Sequence, residues 1–222
     1  NPSILSKEPK SAFSEHIRKI VKLLEDNGGA LHLSVEVFSD DPAEILKQAR
    51  QFSGEFKYGA LSIKIPIGWD VLAAIRALSK ERISVNCTCC MTVNQAVMAA
   101  AAGARYVSLF VGRIRDGGMH EKNVAAGLSD AHQKALANGA LEERDFDPWY
   151  VLRATRKILD AEYPDVEIIA GSMRSALDVK LSAQSGAHIV TVQPKFFRDM
   201  ATHFKTDEVV KQFLGDIKHW IS

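Results

Sequence analysis

Hydrophobic positions along the chain fall into short unbroken runs separated by stretches with helical spacing. The runs cover residues 30–37, 59–65, 83–88, 106–111, 166–170 and 188–192. They lack strict polar alternation, as expected of parallel strands covered on both faces. Between them, apolar residues recur every three or four positions over 42–52, 70–79, 94–102, 149–162 and 176–185, which predicts helices. An earlier helix over 11–26 runs into Gly28-Gly29, a pair suited to a helix C-terminus. Six strand–helix units in series predict one parallel α/β domain over residues 1–222. That domain is either a closed (β/α)8 barrel or an open doubly wound sheet. The open sheet would ordinarily carry a glycine-rich phosphate turn after an early strand, and this sequence has none. A barrel needs two more strands, yet the sequence opens at Asn1-Pro2-Ser3. The expectation is that it starts inside the protein, with the first strand missing and the second reduced to its tail. Asn1-Pro2 would then be the loop at the top of that second strand.

Two segments break the repeat. Residues 117–147 form a long polar insertion with one predicted helix at 128–136, the kind of segment that serves as a lid or an interface. The tail, 207–221, has an amphipathic helical stripe of Val210, Phe213, Leu214, Ile217 and Trp220 or Ile221. Its apolar face is expected to cover either its own barrel or a neighbouring subunit.

Composition narrows the class of partner. A formal net charge of +1 on 222 residues argues against nucleic acid or an anionic membrane held by bulk charge. No apolar run approaches the length of a membrane span. Cys87, Cys89 and Cys90 lie in one segment with no second pair to complete a tetrahedral metal site. They are read as small buried strand residues in a reducing cytosol, with Cys87 and Cys89 on one face and Cys90 on the other. No metal site is expected.

Candidate chemistry lies at the C-terminal ends of the strands, where a barrel gathers its site. Those ends read Glu36, Lys64, Asn86 with Thr88, Ser108 with Phe110, then Ser172 with Arg174. Lys64 is the only charge in an apolar run, Ala60–Pro66. A lysine there either reaches water, pairs with a carboxylate, or stays neutral because burial disfavours its charge. A neutral amine attacks carbonyls, which is the basis of Schiff-base catalysis. Glu36, between two valines, is either the ion-pair partner of Lys64 or, with Thr88, the holder of a water that carries protons. Arg113 and Arg174 follow the ends of two strands beside Gly112 and Gly171-Ser172, a combination suited to a phosphate. Taken singly, each arginine reads as a surface ion pair, for instance Arg113 with Asp116. His32 and His188 are read as satisfied, half-buried histidines, and Trp69 and Trp220 as packing residues.

With these residues in view, the chain resembles the transaldolase family, in particular its short branch that includes fructose-6-phosphate aldolase. The matching segments are Asn1-Pro2-Ser3, Ser34-Val35-Glu36, Ile63-Lys64-Ile65-Pro66, Asn86-Cys87-Thr88 with Asn94-Gln95-Ala96, residues 106–113, and Ser172-Met173-Arg174. Lys205-Thr206-Asp207-Glu208, before the last helix, also looks like the short branch. The resemblance implies a (β/α)8 barrel and a class I mechanism with neither metal nor cofactor. Lys64 would form a Schiff base with a ketose phosphate, and Glu36 and Thr88 would hold the catalytic water. Asn1, Asn86 and Ser108 would bind the hydroxyls of a dihydroxyacetone unit, and Arg113, Arg174 and Ser172 the phosphate. The family's proton-handling aspartate stands on its first strand, which is absent here, so no residue of this sequence takes that role.

Within the family, glutamate and phenylalanine at the positions of Glu36 and Phe110 go with transaldolases, and glutamine with tyrosine goes with free aldolases. The resemblance therefore implies transaldolase first and aldolase second. A catalytically inactive barrel with a binding or assembly role is the third reading. The resemblance further implies carbohydrate metabolism of the pentose phosphate kind, sugar-phosphate substrates, the cytoplasm, and a pentamer-based homo-oligomer in which the tail packs across a neighbour. Leu109, Cys89-Cys90-Met91 and Trp69 depart from the family pattern and are expected to flank the site and reshape the acceptor pocket.

Overall fold

A computed structural model describes residues 5–6 and 12–221. The six strands are β1 (Leu33–Glu36), β2 (Leu61–Pro66), β3 (Val85–Cys90), β4 (Tyr106–Phe110), β5 (Glu167–Gly171) and β6 (Ile189–Val190). They form one parallel sheet in the order β1-β2-β3-β4-β5-β6. A doubly wound sheet reverses its strand order partway along, whereas strictly sequential order keeps every crossover helix on one side. The sheet therefore curls into a half-barrel wall, as in a (β/α)8 barrel. Asn1, the first of the expected site residues, lies outside the described residues.

The helices follow the predicted alternation. They are α1 (Phe13–Asp26), α2 (Pro42–Phe56), α3 (Leu72–Lys80), α4 (Val93–Ala101), α5 (Val111–Gly117), α6 (His120–Ala125), α7 (Ser129–Ala137), α8 (Pro148–Glu162), α9 (Ala176–Gln184), α10 (Phe197–Ala201), α11 (Phe204–Asp216) and α12 (Lys218–Ile221). Local chemistry sets several starts. Asp41 accepts from the Glu44 N–H at 2.9 Å ahead of Pro42, and Thr92 and Gln95 form a reciprocal capping box. After α1, Gly28 and Gly29 take positive φ and return their N–H groups to Glu25 and Leu24. The insertion holds α6, α7 and a 3-10 turn at Glu143–Phe146, where only one helix was predicted.

One face of the sheet packs on the helices through Val35, Ile63, Ile65, Val85, Cys87, Val107, Leu109 and Ile168, all buried. The other face, the barrel interior, carries the polar residues of alternate positions. Three expectations are corrected here. The register slips between Cys87 and Cys90, and Cys89 takes φ 60°. The extra residue turns Cys89 aside and returns Cys90 to the buried side of Cys87, so its thiol lies 3.8 Å from the Cys87 carbonyl oxygen. Leu109 is fully buried in the core that the helices share, not in the site. Trp69 and Trp220 are 78% and 86% exposed, so neither packs against the described residues. For Trp220 the cause is general: no residue of α11 or α12 is buried.

Candidate active site

Parallel register places the central groups side by side. Glu36 on β1 is level with Lys64 on β2, and Lys64 is level with Asn86 on β3. Because neighbouring residues in register share a face, the three side chains meet inside the barrel wall. The Lys64 Nζ donates to Glu36 Oε2 at 2.7 Å, with the two side chains only 12% and 9% exposed. The ion pair weighed from the sequence is thus formed. Two charges in that setting stabilise little on balance, while removal of either partner strands the other. The Lys64 amine also stands 5.7 Å from the centre of the Phe110 ring. Phe110 closes β4, and Gly171 opposite it on β5 has no side chain: a Cβ there would come within 3.4 Å of the ring.

Asn86 is held from both sides. Its Nδ2 donates to Ser34 Oγ at 2.9 Å, and its Oδ1 accepts from Ser108 Oγ at 2.7 Å. Thr88, two residues further along β3, is buried, and its Oγ1 has no hydrogen-bond partner among the described residues. A buried hydroxyl without a partner is costly, and a water or substrate oxygen would satisfy it. Cys89 is half-buried close enough to feel both Glu36 and Lys64. Burial pushes its thiol up, and the Glu36 charge adds to that.

The second cluster forms where α5 meets the β5–α9 loop. Ser172 takes φ 63°, an uncommon conformation for a residue with a side chain. Gly112 faces it so closely that a Cβ would lie 2.6 Å from the Ser172 carbonyl oxygen and 2.7 Å from Arg174 Nε. Arg174 grips Asp116 with both guanidinium nitrogens, its Nη1 at 2.7 Å from Oδ1. That fork, with Lys122 adding to it, holds the Asp116 carboxyl down at about 2. Arg113 is exposed and has no ion pair among the described residues, so the partner foreseen for it belongs to Arg174 instead. Buried Asp178 ties the loop down by accepting from the Arg174 N–H at 2.9 Å and from Arg115 Nη2 at 2.8 Å.

The structure therefore brings together Glu36, Lys64, Asn86, Thr88, Ser108 and Phe110, and separately Ser172 and Arg174 around Gly112. Asp178, Ser34 and Ser62 were missed as contributors, and Asp116 was foreseen only as a partner for Arg113. Ser34 and Ser62 had a legible signal, since each stands two residues before a central charge and so on the same face. Asp178 had none, because its partners lie 4 and 63 residues away.

Comparison with known proteins covers the same span. The family model for transaldolase/fructose-6-phosphate aldolase matches residues 1–221. A probable transaldolase of Dehalococcoides mccartyi is 34% identical over 220 residues, which is 98% of this chain and 86% of that protein. Another, of a Thermoanaerobacter species, is 32% identical over 216 residues, 97% of this chain and 84% of its own. A third, of Parvibaculum lavamentivorans, is 30% identical over 220 residues, covering 98% and 84%. The match runs through all six strands and both side-chain clusters, so it rests on the whole architecture. The chain belongs to the transaldolase/fructose-6-phosphate aldolase family.

Proposed function

We propose that the protein is a class I transaldolase that moves a dihydroxyacetone unit from a ketose phosphate to an aldose phosphate. The observation that carries this reading is the half-buried Lys64 amine, 2.7 Å from Glu36, at the strand ends beside Asn86 and Ser108. Lys64 first passes a proton to Glu36, and the freed Nζ lone pair adds to the substrate carbonyl carbon; the carbinol oxygen then takes one proton from the nitrogen and one back from Glu36 and leaves as water. Loss of water leaves a protonated imine, an electron sink adjacent to the carbon–carbon bond. The water held by Glu36 and Thr88 takes the proton of the hydroxyl on the far carbon, and that bond breaks. An aldehyde phosphate departs, and its bonding electrons remain on Lys64 as an enamine. The enamine adds to the acceptor aldehyde, and water then releases the new ketose phosphate from the lysine.

Each remaining side chain has a place in this scheme. Thr88 Oγ1 and Glu36 hold the water that carries protons. Asn86 and Ser108, with Asn1, bind the hydroxyls of the three-carbon unit. Arg113, Arg174 and Ser172 hold the phosphate, with Gly112 leaving room for it. Phe110 brings no hydroxyl to the lysine, which leaves the water to Glu36 and Thr88 and favours transfer over simple cleavage. Nothing in the scheme calls on a metal or an organic cofactor. The three free thiols suit a reducing cytoplasm. The exposed stripe of α11 and α12 is proposed to pack on a neighbouring subunit of a pentamer-based homo-oligomer.

The test is product release from fructose 6-phosphate with and without an added aldose phosphate. Transaldolase activity requires the acceptor for sustained turnover and disappears in Lys64→Met. Steady aldehyde release without an acceptor would favour the aldolase reading, and no release under either condition would leave the inactive barrel.

A further inference from the structure

A chain of hydrogen bonds crosses the barrel interior behind the lysine and ends on a histidine. His32 precedes β1, and its Nε2 lies 2.6 Å from Ser62 Oγ and 3.2 Å from Ser34 Oγ. The two serine oxygens are 3.0 Å apart. Ser34 meets the Asn86 amide at 2.9 Å, and Ser108 meets its other end at 2.7 Å. The path links four adjacent strands, and among the described residues its serine and asparagine side chains have one another and the imidazole as partners.

Such a path has a direction. An amide placed between two hydroxyls is not oriented by them, because a hydroxyl donates or accepts equally well. A ring nitrogen does only one of the two: it carries either a lone pair or a proton. With a lone pair on Nε2, Ser62 donates to His32, Ser34 donates to Ser62, and Asn86 Nδ2 donates to Ser34. Ser108 then donates to Asn86 Oδ1, and every group is satisfied. With a proton on Nε2, His32 donates to Ser62 and Ser62 to Ser34. The Ser34 proton is then left facing the Asn86 NH2 group. Satisfying it requires the amide to turn over, so that Oδ1 faces Ser34 and Nδ2 faces Ser108.

We propose that His32 is a positioning residue that sets which way round the Asn86 amide faces the site, acting through the hydroxyls of Ser62 and Ser34. The proposal deepens the transaldolase reading and rests on it for the role of Asn86 in binding a substrate hydroxyl. The surroundings of the ring favour the first arrangement at neutral pH. Tyr106 stacks on it with ring centres 4.2 Å apart. The charges that face it are Glu167 on β5 and Arg105 just before β4, themselves paired at 3.2 Å. Burial pushes the His32 pKa below the ordinary histidine value, with Arg105 acting the same way and Glu167 opposing. Asn86 faces Ser34 with Nδ2 and Ser108 with Oδ1, the arrangement that goes with a lone pair on Nε2, so the single proton of the neutral ring is assigned to Nδ1. Acidification adds the second proton at Nε2 and reverses the path. Asn86 then offers oxygen where it offered N–H.

The experiment follows the Asn86 side-chain amide of the nitrogen-15-labelled full-length protein by NMR through the His32 titration. Loss of signals in Asn86→Asp and His32→Phe assigns the two groups. The expected result is that the Asn86 amide and the His32 ring shift with one midpoint below ordinary histidine. In His32→Phe the amide becomes insensitive to pH over that range, and in Ser34→Ala His32 still titrates while Asn86 no longer follows. A wild-type Asn86 amide that stays unchanged while His32 titrates would overturn the proposal, as would co-titration that persists in Ser34→Ala. Kinetics give a second readout: KM for fructose 6-phosphate rises about tenfold on His32 protonation, the size of one exchanged hydrogen bond, with a smaller change in kcat. That acid limb is absent in His32→Phe. If the wild-type protein turned over no ketose phosphate, the transaldolase reading would fail, while the NMR titration would still decide the relay.

Discussion

Gly112 offers the sharpest test of the phosphate cluster, because the obstruction created by one methyl group can be read from the geometry. In Gly112→Ala the new Cβ would lie 2.6 Å from the Ser172 carbonyl oxygen, 2.9 Å from Ser172 Oγ and 2.7 Å from Arg174 Nε. Against the ~3.5 Å of ordinary carbon contact, something must retreat by roughly 0.8 Å. The guanidinium can swing away, but a backbone carbonyl cannot rotate out of reach as a side chain does. Ser172 is also already confined to φ 63°. Overpacking of this kind costs about 1–3 kcal/mol. For a chain of this length each kcal/mol lowers the melting midpoint by about 2–4 °C. The displacement moves Ser172 and Arg174 together, so the charge-assisted phosphate contact proposed for them is lost as well. Such a contact contributes about 1.5–3 kcal/mol, or roughly ten- to a hundredfold in affinity. Calorimetric melting combined with competitive inhibition by inorganic phosphate measures both effects. A variant with unchanged melting and an unchanged inhibition constant would refute the close packing and the phosphate assignment together.

Other consequences follow from the same contacts. Arg174→Ala should weaken use of a phosphorylated donor by roughly ten- to a hundredfold while changing use of free dihydroxyacetone far less, as paired steady-state assays would show. Asp116 has its pKa depressed from 3.8 to about 2, so its pairing with Arg174 stabilises the fold above pH 3.8 and loses that effect as pH falls towards 2. Because Arg174 is 38% exposed, the contribution is discounted to about 1 kcal/mol. Acid denaturation of wild type and Asp116→Asn should therefore differ near neutral pH and converge by about pH 2; a constant difference would contradict this. If the proposed tail contact holds the subunits together, removal of residues 207–222 should reduce the number of subunits per particle measured by sedimentation, given that no side chain of α11 or α12 is buried within the chain. A truncated protein of unchanged oligomeric state would remove the proposed tail contact.

Much of the fold was legible because period and strand order are local signals. Every predicted strand exists, but the outer two shortened most: 30–37 became Leu33–Glu36 and 188–192 became Ile189–Val190. A parallel strand extends only as far as its neighbour supplies partners, and that is a tertiary fact. The insertion yielded one predicted helix out of its several short ones, since a six-residue helix such as α6 completes too few turns to show a period. Alternation within strands correctly grouped Asn86 with Thr88 and Ser108 with Phe110. It failed at Cys89, where a bulge shifts the count by one. The Lys64–Glu36 pair was foreseeable from two buried charges at neighbouring strand ends. The Arg174–Asp116 pair was not, because sequence proximity pointed to Arg113, and only the fold of α5 carries Asp116 across to a residue 58 positions away. The tryptophans misled for a related reason: hydrophobicity says that a side chain seeks cover, not that its own chain provides it.

Covalent attachment of the substrate to Lys64 is tested most directly by reductive trapping. The protein is incubated with fructose 6-phosphate and borohydride, digested, and mapped by mass spectrometry. The predicted result is a reduced three-carbon adduct on the peptide containing Lys64, absent in Lys64→Met. An adduct on Lys57 or Lys80 instead, or a folded wild-type protein that traps nothing at saturating substrate, would contradict it.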